Sequence, residues 1–360
     1  MSRGGAAQIR ALFASEACAR ARTLSVDEAA AEVERLVTSD GTAPSIAEAT
    51  EALYASARAQ ADDFEGELAG YVAHVSARLD AELERAARSP LELSFARLEM
   101  PADARLPADF DTSDAALAGP LARQLEPTNP PHGFHLNVLN DDMFEVRPFG
   151  DFAALVRATA AEERDAVVAL DTRVRPRTAL DAACVQLARG ARLSTICPPM
   201  RWKLGPPGGT AAGCEDTRYY LILGARGALT PTHLDLGTQA VLYHTVSGAH
   251  KFMGMPRRIA ALVHAAREGA CLRWGGDADA PLLALEAQAL AHCAARGLLV
   301  VDAFAAGETL LILPRGGHAV LTGERKCVLA GEWHLRPRPR RSKRKRAAGR
   351  ARKRAPARAS

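Results

Sequence analysis

The chain has 360 residues, 48% of them hydrophobic, which suggests two domains or one with extensions and supplies ample apolar material for a core. Its formal net charge is +4, and no apolar run reaches membrane-spanning length. Seven cysteines, Cys18, Cys184, Cys197, Cys214, Cys271, Cys293 and Cys327, contain no C-x-x-C pair, which argues against a zinc module or a disulfide framework and fits a reducing compartment.

The first 24 residues, MSRGGAAQIRALFASEACARARTL, carry Arg, Ala and Ser with a single acid, a pattern shared by an ordinary helical start and by a mitochondrial transit peptide. Ser25 with Glu28 forms a capping-box pattern before a short helix. Ser45 then caps a long predicted helix, in which Ile46, Leu53, Phe64, Leu68, Tyr71, Val75, Leu79 and Leu83 recur at three- and four-residue multiples before Ser89-Pro90 stops it. These helices are expected to pack on the following domain or on each other rather than to dimerise as a coiled coil. Residues 90 to 131 turn Pro- and Asp-rich, with LEPTNPPHGF as the clearest break, and this places a boundary near 129.

The stretch from 130 to 335 reads as a catalytic unit. Its first β-rich block is RYYLILGARGALTPTHLDLGTQAVLYHTVSGAHKF and its second is GLLVVDAFAAGETLLILPRGGHAVLTGERKCVLAGEWHL, each broken by Gly-rich turns. Between them lies an insert with two helical patterns, beginning at PRRIAALVHAAREG. In a strand, residues i and i+2 point the same way, so His233 and Asp235 at a strand end aim at one point. Ten His and 42 acidic residues in this length give about one H-x-D pair by chance, so the surroundings must carry the inference. Two imidazoles and one carboxylate form the facial triad that leaves open positions on iron, and His318 in the second block is the candidate third ligand.

At these residues the chain resembles the JmjC oxygenases, and among them the F-box- and PHD-finger-associated histone lysine demethylases. THLDLGTQAVLYHTVSG resembles that subgroup's H-x-D-x-G-G-T-x-V-x-Y-H pattern, and GETLLILPRGGHAVLT its second-histidine block. The resemblance implies an α+β protein with a double-stranded β-helix (jelly-roll, cupin-like) core, a helical N-terminal region and a helical insert. It implies Fe(II), 2-oxoglutarate as co-substrate and O2, with His233, Asp235 and His318 as iron ligands and catalytic centre. Thr230 and Tyr243 match hydroxyls that bind the co-substrate's distal carboxylate, and Asn137 in HLNVLND matches an Asn of the same pocket. The basic residue that pairs with that carboxylate falls, by the subgroup's spacing, on His250, while the lysine itself stands one later. Because Gly248, Ala249 and His250 look like a turn able to absorb a residue, Lys251 is the expected ion-pair partner, with His250 in reserve.

Other residues read as ordinary structure. His132, His135, His244, His264, His292 and His334 fit hydrogen-bonded histidines, Cys214 a small hydrophobe, and GPPGGTAAG, which lacks a G-K-S/T ending, a flexible loop. Residues 336 to 360 hold 13 Lys and Arg and no acid, so removing them from the formal total of +4 leaves the body at −9. This tail reads as disordered, and it contains no aromatic residue to stack on bases. It suits nuclear import or non-specific contact with nucleic-acid phosphates, and a nuclear localisation is expected on that ground.

The expected activity is a 2-oxoglutarate-dependent dioxygenase acting on a protein, a histone tail above all, by hydroxylating an N-methyl group that then leaves as formaldehyde. An acidic body would steer a basic peptide toward it. A protein or ribosomal hydroxylase with the same iron centre is the second expectation, and a non-catalytic chromatin-binding scaffold the third. No membrane partner is expected, and the sequence leaves the oligomeric state open.

Overall fold

The computed structural model describes residues 4–15, 18–37, 59–64, 67–88, 94–104, 110–126, 134–140, 143–160, 166–169, 172–191, 219–235 and 239–334, with positions 52, 55, 56 and 106. The basic tail, the boundary expected near 129, Ser45, Ile46, Leu53, Cys197, Cys214 and the GPPGGTAAG loop lie outside the described residues. Fifteen strands are described: β1 (Thr23–Ser25), β2 (Phe95–Glu99), β3 (Leu125–Glu126), β4 (Phe134–Asn140), β5 (Met143–Phe149), β6 (Ala166–Ala169), β7 (Arg173–Val174), β8 (Tyr219–Gly224), β9 (Leu229–His233), β10 (Gln239–Ser247), β11 (Ala249–Gly254), β12 (Val300–Ala305), β13 (Thr309–Ile312), β14 (His318–Thr322) and β15 (Lys326–His334). They form two sheets. The larger runs β1-β2-β13-β10-β15-β8-β6-β4-β5, with β7 pairing β3 and β8 beside this path, and the smaller runs β12-β11-β14-β9. Apart from the parallel β1–β2 pair and an isolated parallel bridge between Ala19 and Val300, the described pairings are antiparallel.

From β8 onward the chain passes back and forth between the sheets, with β8, β10, β13 and β15 in the larger and β9, β11, β12 and β14 in the smaller. Both faces of these strands are covered, which explains their near-continuous apolar sequences. One parity of the larger sheet, including Leu221, Leu242, Leu311 and Leu329, packs against helices Val26–Val37, Phe152–Ala160 and Ala179–Gly190. The other parity, including Val241, Tyr243, Leu310 and Val328, meets Phe252, Phe304 and Val320 of the smaller sheet in a core between the sheets. On its outer face the smaller sheet packs Met253, Val301 and Ala319 against helices Gly5–Leu12, Leu68–Ala86, Arg257–Trp274 and Asp279–Ala295. The last two are the insert read from the sequence. The protein is thus a mixed α+β structure with helices on the outer faces of two sheets.

Local signals behave as their chemistry dictates. The Ser25 N–H donates to Glu28 Oε2 at 2.8 Å and the Glu28 N–H to Ser25 Oγ at 3.3 Å, a reciprocal capping box. The long predicted helix is interrupted: positions 52, 55, 56 and 59 are helical, a 3₁₀ turn follows at Gln60–Asp63, and a separate helix runs over Leu68–Ala86. Phe64 (φ −103°, ψ 70°) and Glu67 (φ −105°, ψ 71°) leave the helical region between the two. Phe64 nevertheless packs edge-on against Tyr71 at 5.6 Å, so the repeat records a shared buried side rather than one unbroken hydrogen-bond ladder. The five described cysteines are free, and no helix among the described residues is long and apolar enough to cross a membrane.

Candidate metal centre

Register brings the two histidines together. His318, the first residue of β14, stands opposite His233, the last of β9, and an irregularity between His318 and Val320 lets both rings lean to one side. Their ring centroids are 4.2 Å apart, and one donor atom each from His233, Asp235 and His318 lies within 4.8 Å of the other two. In each histidine Nδ1 faces a backbone carbonyl, Pro231 O at 3.0 Å for His233 and Gly316 O at 2.9 Å for His318. A carbonyl only accepts, so Nδ1 carries the proton and Nε2 keeps its lone pair for a metal. Burial, with the neighbouring His318 adding to it at His233, pushes both imidazoles down to about 4, which keeps them neutral and ligating at physiological pH. Two neutral imidazoles and one carboxylate, without a thiolate, fit Fe(II) in a facial triad.

The triad opens into a cavity of about 180 Å³ that Thr230, Tyr243 and Lys326 also line, with apolar walls from Ile222, Val241, Ile312 and Val320. Lys326 is 2% exposed, and its Nζ donates to Tyr243 Oη at 2.9 Å. Among the described residues no carboxylate pairs with it, and burial alone pushes the ammonium down to about 7. A buried cation without a counter-ion is costly, and an anionic ligand in the cavity would offset that cost. Burial pushes the Tyr243 phenol upward, so its O–H stays available as a donor beside the ammonium. Room for the lysine comes from Gly224, its partner across β8 and β15: a Cβ there would stand 2.8 Å from Lys326 Cε.

The expectation that Lys251 supplies the cavity's cation is corrected. Gly248 (φ +77°) makes the turn, and β11 runs regularly from Ala249, so His250 and Phe252 face the inter-sheet core while Lys251 points to the outer face. There its Nζ donates to Phe13 O at 3.1 Å. His250, the reserve, is 1% exposed and stacks on Phe304 at 6.0 Å, and it is not part of the cavity lining. Thr230 and Tyr243 do reach the cavity. Asn137 lies on β4, paired with Val146 and Val168, and its side chain is outside what is described. Lys326 was missed because GERKCVLAG reads as a charged turn entering a strand. The available signal was parity, since Lys326, Val328 and Ala330 share a face with the apolar lining.

No family model and no curated protein matches the chain. Solved structures that resemble it include Escherichia coli ycfD, at 13% identity and a TM-score of 0.35, covering 69% of this chain and 51% of that one. A second is YcfD, described as a ribosomal oxygenase from Escherichia coli in complex with cobalt and succinic acid, at 12% identity and a TM-score of 0.31, covering 60% of this chain and 42% of that one. The chain therefore spans about half the length of these neighbours. The nuclear localisation expected from the basic tail is corrected: the neighbours come from a bacterium, which has no nucleus.

Proposed function

We propose that the chain is an Fe(II)- and 2-oxoglutarate-dependent oxygenase of the JmjC type that hydroxylates a protein substrate. The observation that carries this reading is one cavity holding both a two-histidine, one-aspartate set and a buried lysine that pairs with no carboxylate among the described residues. His233, Asp235 and His318 would hold the metal. Lys326, Tyr243 and Thr230 would bind the distal carboxylate of the 2-oxo acid through an ammonium and two hydroxyls. Ile222, Val241, Ile312 and Val320 exclude water and strengthen those contacts. The metal, when bound, supplies the coupling of dioxygen to oxidative decarboxylation of the co-substrate. The alternation of β8 to β15 between two facing sheets supports a double-stranded β-helix core.

Stable hydroxylation is preferred to demethylation here, and a ribosomal protein is the substrate class suggested by what the neighbouring structure is described as. Histone N-methyl-lysine demethylation is the second reading, resting on the likeness of THLDLGTQAVLYHTVSG to the demethylase motif. The deciding experiment incubates purified protein with Fe(II), ascorbate and 2-oxoglutarate, together with ribosomal proteins or methylated histone peptides and a His233→Ala control. Substrate-dependent succinate with a stable gain of one oxygen atom is expected. Formaldehyde release would transfer the assignment to demethylation, and no succinate from folded, metal-loaded protein would leave a non-catalytic scaffold.

A further inference from the structure

Among the described residues, β9 carries His233 at the edge of the smaller sheet, with β14 on one side and no strand on the other. An uncovered edge leaves backbone donors and acceptors without partners. At Thr232, immediately before the ligand, two side chains from the insert supply them. Glu286 Oε1 accepts from the Thr232 N–H at 2.6 Å, and Arg267 Nη2 donates to the Thr232 carbonyl. Arg267 Nη1 then donates to Glu286 Oε2 at 3.1 Å, which closes a ring around one residue's peptide groups. Arg267 belongs to helix Arg257–Trp274 and Glu286 to helix Asp279–Ala295, so both helices of the insert hold the same point.

This is an expensive way to cover an edge. The Glu286 side chain is fully buried and that of Arg267 is 13% exposed. Burial pushes the Glu286 carboxyl upward, against the pull of Arg267 and of Thr232. Apolar residues of similar volume often serve stability as well as a buried ion pair does, but they could not partner the Thr232 N–H and carbonyl, so the hold on those two groups is what sets this pair apart. Its position gives that hold a geometric purpose. The Pro231 carbonyl already orients the His233 ring, and with the Thr232 backbone N–H and carbonyl both clamped, the peptide groups leading into the ligand are fixed.

We infer that Arg267 and Glu286 are positioning residues for the metal ligand His233, a clamp through which the helical insert sets the geometry of the metal centre. The inference rests on the metal-centre reading proposed above. Outer partners that orient ligands typically change metal affinity by about 10- to 100-fold when removed.

The test is Co(II) titration of the full chain, followed by the visible spectrum of the bound ion, with thermal unfolding of the metal-free protein in parallel. The Arg267→Met/Glu286→Leu double variant should bind Co(II) about 10- to 100-fold more weakly and with a shifted spectrum, and should unfold at a somewhat lower temperature because the Thr232 N–H and carbonyl lose their partners. Glu286→Gln keeps the shape and an acceptor for Thr232 but loses the ion pair, and should fall between the two. It also serves if the double variant does not fold. Wild-type affinity and spectrum in these variants would overturn the clamp while leaving the metal centre standing. Failure of the wild-type protein itself to bind Co(II) would overturn the metal centre and the clamp with it.

Discussion

Lys326 and Gly224 face each other across β15 and β8, and the lysine enters the cavity through the space a side chain at 224 would fill. Gly224→Ala should be absorbed by small shifts of the lysine's flexible end and of Thr322 Oγ1, 2.9 Å from the same point. Gly224→Val should not, and is expected to weaken 2-oxoglutarate binding by about tenfold or more, roughly the worth of one charge-assisted hydrogen bond. Calorimetric titration of the Co(II)-loaded protein without oxygen would check this, with Co(II) affinity itself unchanged.

Lys326→Met removes the ammonium outright. Hydrogen bonds to charged groups contribute about 1.5–3 kcal/mol, so co-substrate affinity should fall by about 10- to 150-fold. Lys251→Met, on the far side of the smaller sheet, should leave that affinity unchanged. The reverse pattern in the same titration would return the cation's role to Lys251.

The pH dependence of co-substrate binding follows from the sign of the Lys326 shift. With the free ammonium held down near 7, Lys326 is charged below that pH and neutral above it. A bound carboxylate favours the charged form, so binding above pH 7 takes up a proton and affinity should fall about tenfold per pH unit. Below pH 7 affinity should level off. Lys326→Arg, always charged, should flatten the profile above pH 7.

His250 should make the metal-free protein acid-sensitive. Neither ring nitrogen has a hydrogen-bond partner among the described residues, and burial, aided by Lys326, pushes the imidazole down to about 2. Its folded value lies below the unfolded value near 6.5, so the unfolded chain binds the extra proton and stability is lost as pH falls below about 6.5. That loss is about 1.4 kcal/mol per pH unit for one such group. Urea unfolding at pH 7 and pH 5 should show a shallower dependence in His250→Phe. An unchanged slope would assign the acid sensitivity to other buried histidines such as His244, which burial lowers to about 4.

Gly317 lets β14 approach the insert. A Cβ there would sit 1.9 Å from the Cβ of Ala260 in helix Arg257–Trp274, next to the proposed ligand His318. Gly317→Ala should destabilise the protein by about 1–3 kcal/mol, in the range of overpacked cores, and weaken Co(II) binding. Ala260→Gly in the same chain should restore part of both, and a double-mutant cycle measures the coupling.

The sequence brought out His233, Asp235 and His318, whose donor atoms the fold gathers within 4.8 Å of one another, because an H-x-D pair and a second histidine sit in β-rich blocks whose apolar patterns are local. It disclosed the insert for the same reason. Lys326 stayed hidden because its face is decided by pairing with a glycine far back in the chain, and local text shows only ERK at a turn. Lys251 misled because a shift of one position on a strand reverses the face, and only the turn at Gly248 settles the count. The clamp was equally invisible: Arg267 and Glu286 look like ordinary charges on amphipathic helices until β9 is seen as an edge. The split of the long helix was hidden too, since Phe64 keeps the apolar spacing while its backbone leaves the helix.

The pairing of β2 with β13 also sets an order of assembly. Residues 95–99 emerge well before their partner at 309–312, which arrives more than 200 positions later. Until then β2 has only the short β1 beside it, and its other edge is open to pairing with another copy. Closing such a distant contact is slow, so yield on expression should depend on holding that edge apart while the chain is finished.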